Sequence, residues 1–180
     1  GTARFTGLIG EYALEELAGI PAKVEYGSEF AYRESAGDKN TGLIAISQSG
    51  ETADTLNAVK EAKRKGMLTF GIVNVIGSSI ARAVDAGVYN HAGPETAVAS
   101  TKASTSQVLL QVMLAVYLGR MRGLSKHKGQ AILKEMQKLP HLAEQVLKNA
   151  KNIKRLANKY KNSNNFFFLG RKYNAGTAME

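Results

Sequence analysis

The chain has 180 residues, 44% of them hydrophobic, with 24 Lys and Arg against 15 Asp and Glu, a formal net charge of +9. That apolar content excludes an intrinsically disordered chain, and the length suits one domain. The absence of cysteine excludes disulfides, thiolate catalysis and cysteine-ligated zinc, and fits a reducing cytoplasm.

The charge is unevenly spread. Residues 1–124 hold twelve basic and twelve acidic side chains, whereas residues 125–180 hold twelve basic side chains and only Glu135, Glu144 and Glu180. A neutral domain carrying a basic extension follows. The longest apolar run, Val108 to Leu118, contains Gln111 and is shorter than the ~18 residues of a spanning helix, so no membrane segment is expected.

In chain order, Leu8, Tyr12, Leu14 and Leu17 predict an amphipathic helix that Gly19-Ile20-Pro21 ends. Val24 and Tyr26 predict a short strand, Ser28-Glu29-Phe30 a brief helix, and Gly37 to Thr41 a turn. Leu43-Ile44-Ala45-Ile46 is a continuous apolar run, as expected of a strand buried on both faces. Ser47-Gln48-Ser49-Gly50 breaks it, and Thr55, Leu56, Val59 and Ala62 mark a helix that runs to Gly66. A second apolar strand, Leu68 to Val73, comes next, completing a strand–helix–strand unit of the kind that builds parallel sheets. A short helix at Ile80–Val84, a strand near Val88–Asn90 and a long helix from about Ser100 to Met121 extend the pattern. Residues 125–161 predict two Lys-rich amphipathic helices broken by Pro140. Phe166-Phe167-Phe168-Leu169 predicts a strand before Gly170-Arg171, with a helix opening at Ala175 to Glu180.

Both ends read as cut. Gly1-Thr2 has the character of a strand-to-helix turn without its strand, and the last strand and helix read as the start of another domain. Expected boundaries are one domain over residues 1–161 and the opening of a second over residues 162–180. Phe166–Leu169 could fill the slot of the missing first strand.

The segment Ser47-Gln48-Ser49-Gly50-Glu51-Thr52 carries the chemistry. It joins a buried strand to a helix, where ligands bind at the carboxyl ends of parallel strands. Unsatisfied N–H groups and the partial positive charge of a helix start attract a phosphate. Ser47, Ser49 and Thr52 add hydroxyl donors, Gln48 adds an amide, and Gly50 allows close approach. Read more simply, Ser49 is an N-cap with Thr52 as a weak capping partner, and chemistry alone leaves the two readings even. The segment is neither a P-loop nor a Gly-x-Gly-x-x-Gly turn. Val98 to Thr105 holds a second hydroxyl cluster at a helix start, where Ser100 is a natural N-cap and Lys102 either faces a phosphate or is solvated.

The segments SQSGETADTL, NVIGSSIARAVD and AGPETAVASTKA, taken in order, resemble the isomerase part of the glutamine–fructose-6-phosphate aminotransferase family. Gly1-Thr2 is similar to that family's Cys-Gly-Thr-Ser turn, and Phe168-Leu169-Gly170-Arg171 to the opening strand of its second domain. The resemblance implies an α/β fold, the flavodoxin-like SIS (sugar isomerase) domain, a parallel sheet with helices on both faces. It also implies a hexose 6-phosphate ligand, a cytoplasmic homodimer, and a parent enzyme that makes glucosamine 6-phosphate from fructose 6-phosphate and glutamine. Carried over by motif, the substrate-binding positions are Thr2, Ser47, Gln48, Ser49, Thr52, Val98 and Ser100. Ala3 departs from the family's serine and removes one hydroxyl. The family's catalytic lysine, glutamate and histidine lie beyond the matched motifs, so the resemblance implies a binding half with no catalytic residue assigned.

Other readings stay open beside it. A non-catalytic sugar-phosphate regulator with the same domain is the alternative function, and a basic interaction module over residues 125–161 is a third. Nucleic acid is not expected, since Tyr160 is the only aromatic residue among those lysines. His91, His127 and His141 lack a metal-ligand spacing, so no metal or cofactor is expected. Glu51 and Glu95 could form a general acid/base pair, but Glu51 at a helix start is more simply a dipole partner.

Overall fold

The computed structural model describes residues 1–96 and 99–180. Three strands, β1 (Gly42–Ser47), β2 (Leu68–Val73) and β3 (Ala86–Tyr89), pair in parallel in the order β1-β2-β3. Parallel strands need crossovers. α3 (Ala53–Arg64) links β1 to β2, and α4 (Ser79–Ala83) links β2 to β3.

Alternation along β1 sends successive side chains to opposite faces. Ala45 joins Val59 of α3, Val73 of β2 and Ile80 of α4 in one buried cluster. Ile44 packs instead on Ala13, Leu14 and Ala115. These last residues belong to α1 (Thr2–Ala13), its π-helical continuation Leu14–Ala18, and α5 (Lys102–Met121). Helices therefore cover both faces, giving the α/β architecture the sequence predicts. Gly19, at φ 60, closes the π-helical turn in the left-handed conformation that glycine adopts without a Cβ penalty.

α5 buries Ala103, Gln107, Gln111 and Ala115, one stripe at helical spacing. Two of these are glutamines. Gln111 donates from Nε2 to the carbonyls of Thr6 and Gln107, both at 3.2 Å, tying α5 to α1. A side chain at Gly10 could not coexist with it, since its Cβ would lie 1.9 Å from Gln111 Oε1.

Beyond α5, the basic region forms α6 (Lys126–Met136), α7 (Leu139–Lys148) and α8 (Ala150–Tyr160). Pro140 sits in the first turn of α7, where its missing N–H costs nothing. α7 and α8 bury no residue, and Leu142, Val146, Ile153 and Leu156 are exposed along them. A short α2 (Gly27–Tyr32) packs on α3, and α9 (Tyr173–Met179) returns to α1. There Tyr173 Oη donates to Glu16 Oε2 at 2.7 Å, and Gly176 backs the Phe5 carbonyl.

Four sequence expectations need correction. Val24–Tyr26 forms no strand: Tyr26 is extended, but the Val24 N–H donates to the Glu11 carboxylate at 2.8 Å instead of a ladder. β1 is less enclosed than a strand buried on both faces, because it pairs on one side only among the described residues. Leu43, Ile44 and Ile46 are half-buried. The basic region breaks a second time, at Asn149, giving three helices where two are expected. Phe166–Leu169 is neither strand nor part of the sheet, and its side chains are 58–92% exposed. An apolar run becomes a strand only when a ladder partner satisfies its backbone.

Candidate functional site

The parallel register aligns Ser47, Val73 and Tyr89 at the carboxyl edge of the sheet. Three connections leave from that edge, residues 48–52, 74–78 and the segment that starts at Asn90, forming the side on which open α/β sheets bind ligands. α1 begins at the same edge and runs away from it. Ile44 meets the Ala13 cluster whereas Ile46 faces Gly7, so tracing α1 back toward Thr2 leads to the carboxyl side.

In the first loop the chain folds on its own hydroxyls. The buried Ser47 Oγ accepts from the Gly50 N–H at 2.9 Å, and Ser49 Oγ accepts from the Glu51 N–H at 3.2 Å. Both serines act as acceptors there and donate to no partner among the described residues, which leaves each hydroxyl proton to a ligand. Gly50 has φ 69, and a Cβ on it would lie 1.9 Å from Ser78 Oγ. Thr52 is the N-cap of α3 in extended conformation but makes no side-chain cap bond, so it does not serve as the capping partner the simpler reading requires. The first N–H groups of α3 thus face the turn without a side-chain cap from Thr52. Gln48 is half-buried in the same turn.

Glu51 does not serve α3 either. Its Oε1 accepts from the Ser79 N–H at 2.8 Å, at the start of α4. Hydrogen bonding from Ser79, with the Arg82 charge as a smaller contribution, holds the carboxyl below its ordinary range. Glu95 behaves similarly in the third loop, where Oε2 accepts from the Ala103 N–H at 3.1 Å and the Ser100 hydroxyl at 3.0 Å. Those bonds, the Ala103 amide first, also lower its pKa. Each carboxylate is therefore committed to a different helix start, which does not suit a general acid/base pair.

Four of the seven sequence-predicted positions, Ser47, Gln48, Ser49 and Thr52, come together in the first loop. Ser100 lies in the third loop of the same edge with its hydroxyl on Glu95. Thr2 opens α1 on this side and donates to the Glu180 carboxylate. Val98 lies outside the described residues. Among the described residues no group of His, Asp and Glu could hold a metal ion. His91 is exposed, edge-on to Tyr89 at 6.0 Å.

Sequence reasoning missed two asparagines at the strand ends, one joining two loops and one joining a loop to α5. Asn74 donates from Nδ2 to the Gly93 carbonyl at 2.8 Å and accepts from the Ala92 N–H at 2.8 Å. Asn90 donates to Ser106 Oγ at 2.9 Å. Each stands immediately after the last residue of a parallel strand, and that repeated position was the available signal.

A family model described as "SIS domain" matches residues 1–117. The glutamine–fructose-6-phosphate aminotransferase of Thermus thermophilus is 46% identical over 181 aligned residues, spanning all of this chain and 30% of that protein. The Chlorobaculum tepidum protein of the same name is 47% identical over 29% of its length. The chain thus spans about a third of the curated relatives it matches. Among solved structures, the C-terminal domain of glucosamine–fructose-6-phosphate aminotransferase from Francisella tularensis superposes with a TM-score of 0.95 at 30% identity. That match covers 99% of this chain and 51% of that one. The sheet, the turn and the matched motifs agree, and the chain belongs to the SIS domain family.

Proposed function

We propose that this chain is the hexose-6-phosphate-binding part of the isomerase region of a glutamine–fructose-6-phosphate aminotransferase, whose whole activity makes glucosamine 6-phosphate from fructose 6-phosphate and glutamine. One observation carries the reading: α3 begins without a side-chain cap from Thr52, beside two serine hydroxyls that accept backbone amides and donate to no partner among the described residues. A phosphomonoester supplies acceptor oxygens and negative charge, matching those hydroxyls, the Gln48 amide and the α3 amides. Ser47, Gln48, Ser49 and Thr52 hold the phosphate. Thr2 adds to the phosphate contacts while Val98 and Ser100 lie near the sugar, with Thr2 and Ser100 exchanging their present carboxylate partners for substrate.

Since Ala3 supplies no hydroxyl, the phosphate depends more heavily on the Ser47–Thr52 turn. Residues 1–161 act as the first SIS domain and residues 162–180 as the opening of a second. The assembly is a cytoplasmic homodimer, in line with the cysteine-free composition. No catalytic residue is assigned to this chain. Calorimetry with fructose 6-phosphate tests the site: replacing Ser47 and Ser49 together by alanine removes two donors, at about 1 kcal/mol each. Unchanged affinity in that variant overturns the assignment.

A further inference from the structure

Glu51 is the acidic member of a turn meant to receive an anion, and a carboxylate among phosphate ligands opposes binding unless it is engaged elsewhere. Its Oε1 accepts the Ser79 N–H at 2.8 Å across 28 residues of sequence. A second bond runs the same way, from the Ile80 N–H to the Gly50 carbonyl at 2.9 Å. Ile80 is fully buried against Ala45, Val59 and Val73, so the start of α4 is fixed to the core. Ser78, buried as well, backs directly onto Gly50.

We propose that Glu51 is a positioning residue of the phosphate turn: by accepting the Ser79 amide it locks Ser49–Glu51 to the rigid start of α4. The same bond turns its negative charge away from the uncapped start of α3. The inference rests on the sugar-phosphate reading of the turn. Glu51 contacts no substrate in this role; it shapes the loop that does.

The two contributions separate by substitution. Glu51→Gln keeps an acceptor oxygen and removes the charge, whereas Glu51→Ala removes both. Ser79→Pro deletes the amide donor at the first position of a helix, where proline is tolerated, and Ser79→Ala controls for the hydroxyl lost with it, which accepts from Arg82. Ser78 before it is already extended at φ −65, ψ 165, as a residue preceding proline must be.

The test is calorimetry of the full 180-residue chain with fructose 6-phosphate and, separately, inorganic phosphate, with the melting temperature recorded for each variant. Expected are about tenfold weaker binding of both ligands by Glu51→Ala and by Ser79→Pro. Glu51→Gln should bind at least as tightly as the parent chain, and the double variant Glu51→Ala/Ser79→Pro no more weakly than either single one. Additive losses in the double variant, or equal losses in Glu51→Gln and Glu51→Ala, overturn the inference. If the Ser47/Ser49 double variant loses binding while Glu51→Ala retains it, the positioning role fails and the phosphate turn stands. If the Ser47/Ser49 double variant binds as the parent does, the turn itself is misassigned and both ideas fall.

Discussion

Asp85 accepts two hydrogen bonds from Thr69, one from its amide at 2.9 Å and one from its hydroxyl at 2.7 Å. The carboxylate thereby joins the end of the α4 connection to β2, and Lys63 of α3 completes the set at 2.8 Å. Lys63 and Thr69 together bring the Asp85 carboxyl down to about 2. A depressed carboxylate pKa adds stability above the unfolded value and loses it as pH falls through the folded value. The melting temperature should therefore drop between about pH 4 and pH 2. Asp85→Asn should melt lower at neutral pH and show a flatter decline over that window. An identical acid profile in the two proteins would refute the role of Asp85.

Ile72 lies in β2, the middle strand of the sheet, and is completely buried. Ile72→Ala leaves a cavity that the flanking strands cannot collapse, and should cost about 2–5 kcal/mol. Urea denaturation should show a lower midpoint with an unchanged slope, since the surface exposed on unfolding stays the same.

Gly50 combines a positive φ with contact against Ser78 and Val73, whose atoms would lie 1.9 and 2.8 Å from a Cβ. Gly50→Ala should destabilise by more than about 1 kcal/mol, because alanine is strained at that φ even before the clash. Fructose 6-phosphate binding should be lost at temperatures where circular dichroism still reports a folded chain. A variant that binds normally would mean that the turn re-forms with another shape.

Tyr173 offers a spectroscopic check on how α9 is held. Burial, followed by its hydrogen bond to Glu16, pushes its phenol up to about 12. In alkaline titration at 295 nm, Tyr173→Phe should remove one phenolate that appears near pH 12, leaving the remaining tyrosines unchanged. Because the folded pKa is raised, this bond stabilises fully below about pH 10, and its contribution fades as pH rises through about 12. Loss of a phenolate titrating at the ordinary value would contradict the docking.

Much of the α/β frame was legible because its signals are local. β2 is a short apolar run closed by polar residues, and Gly66 ends the approach to it after an amphipathic helix. The turn from Ser47 to Thr52 was legible for a similar reason, since hydroxyl residues and a glycine between a strand and a helix restrict what the chain can do. What failed was pairing. Val24–Tyr26 and Phe166–Leu169 have the composition of strands, yet strand formation depends on a neighbour that composition does not specify. Within the site, the reach of Glu51 to Ser79 and of Asn74 to Gly93 spans 28 and 19 residues respectively. Neither contact leaves a periodic trace, so one sequence could name the carboxylate but not its destination.

The return of α9 to α1 has a topological consequence for the basic helices. Residues 122–172 are tethered at both ends, by α5 on one side and by the Tyr173–Glu16 contact on the other, so they form a closed loop and not a tail. Closing so long a loop adds little entropic cost per residue, because that cost grows only with the logarithm of length. The covalent path keeps α9 at a high effective concentration beside its groove on α1. Phe167, 91% exposed, lies on that path and invites a chymotryptic cut. One nick there would remove no mass from the folded domain, yet it would turn α9 into a ligand that must find its groove by diffusion.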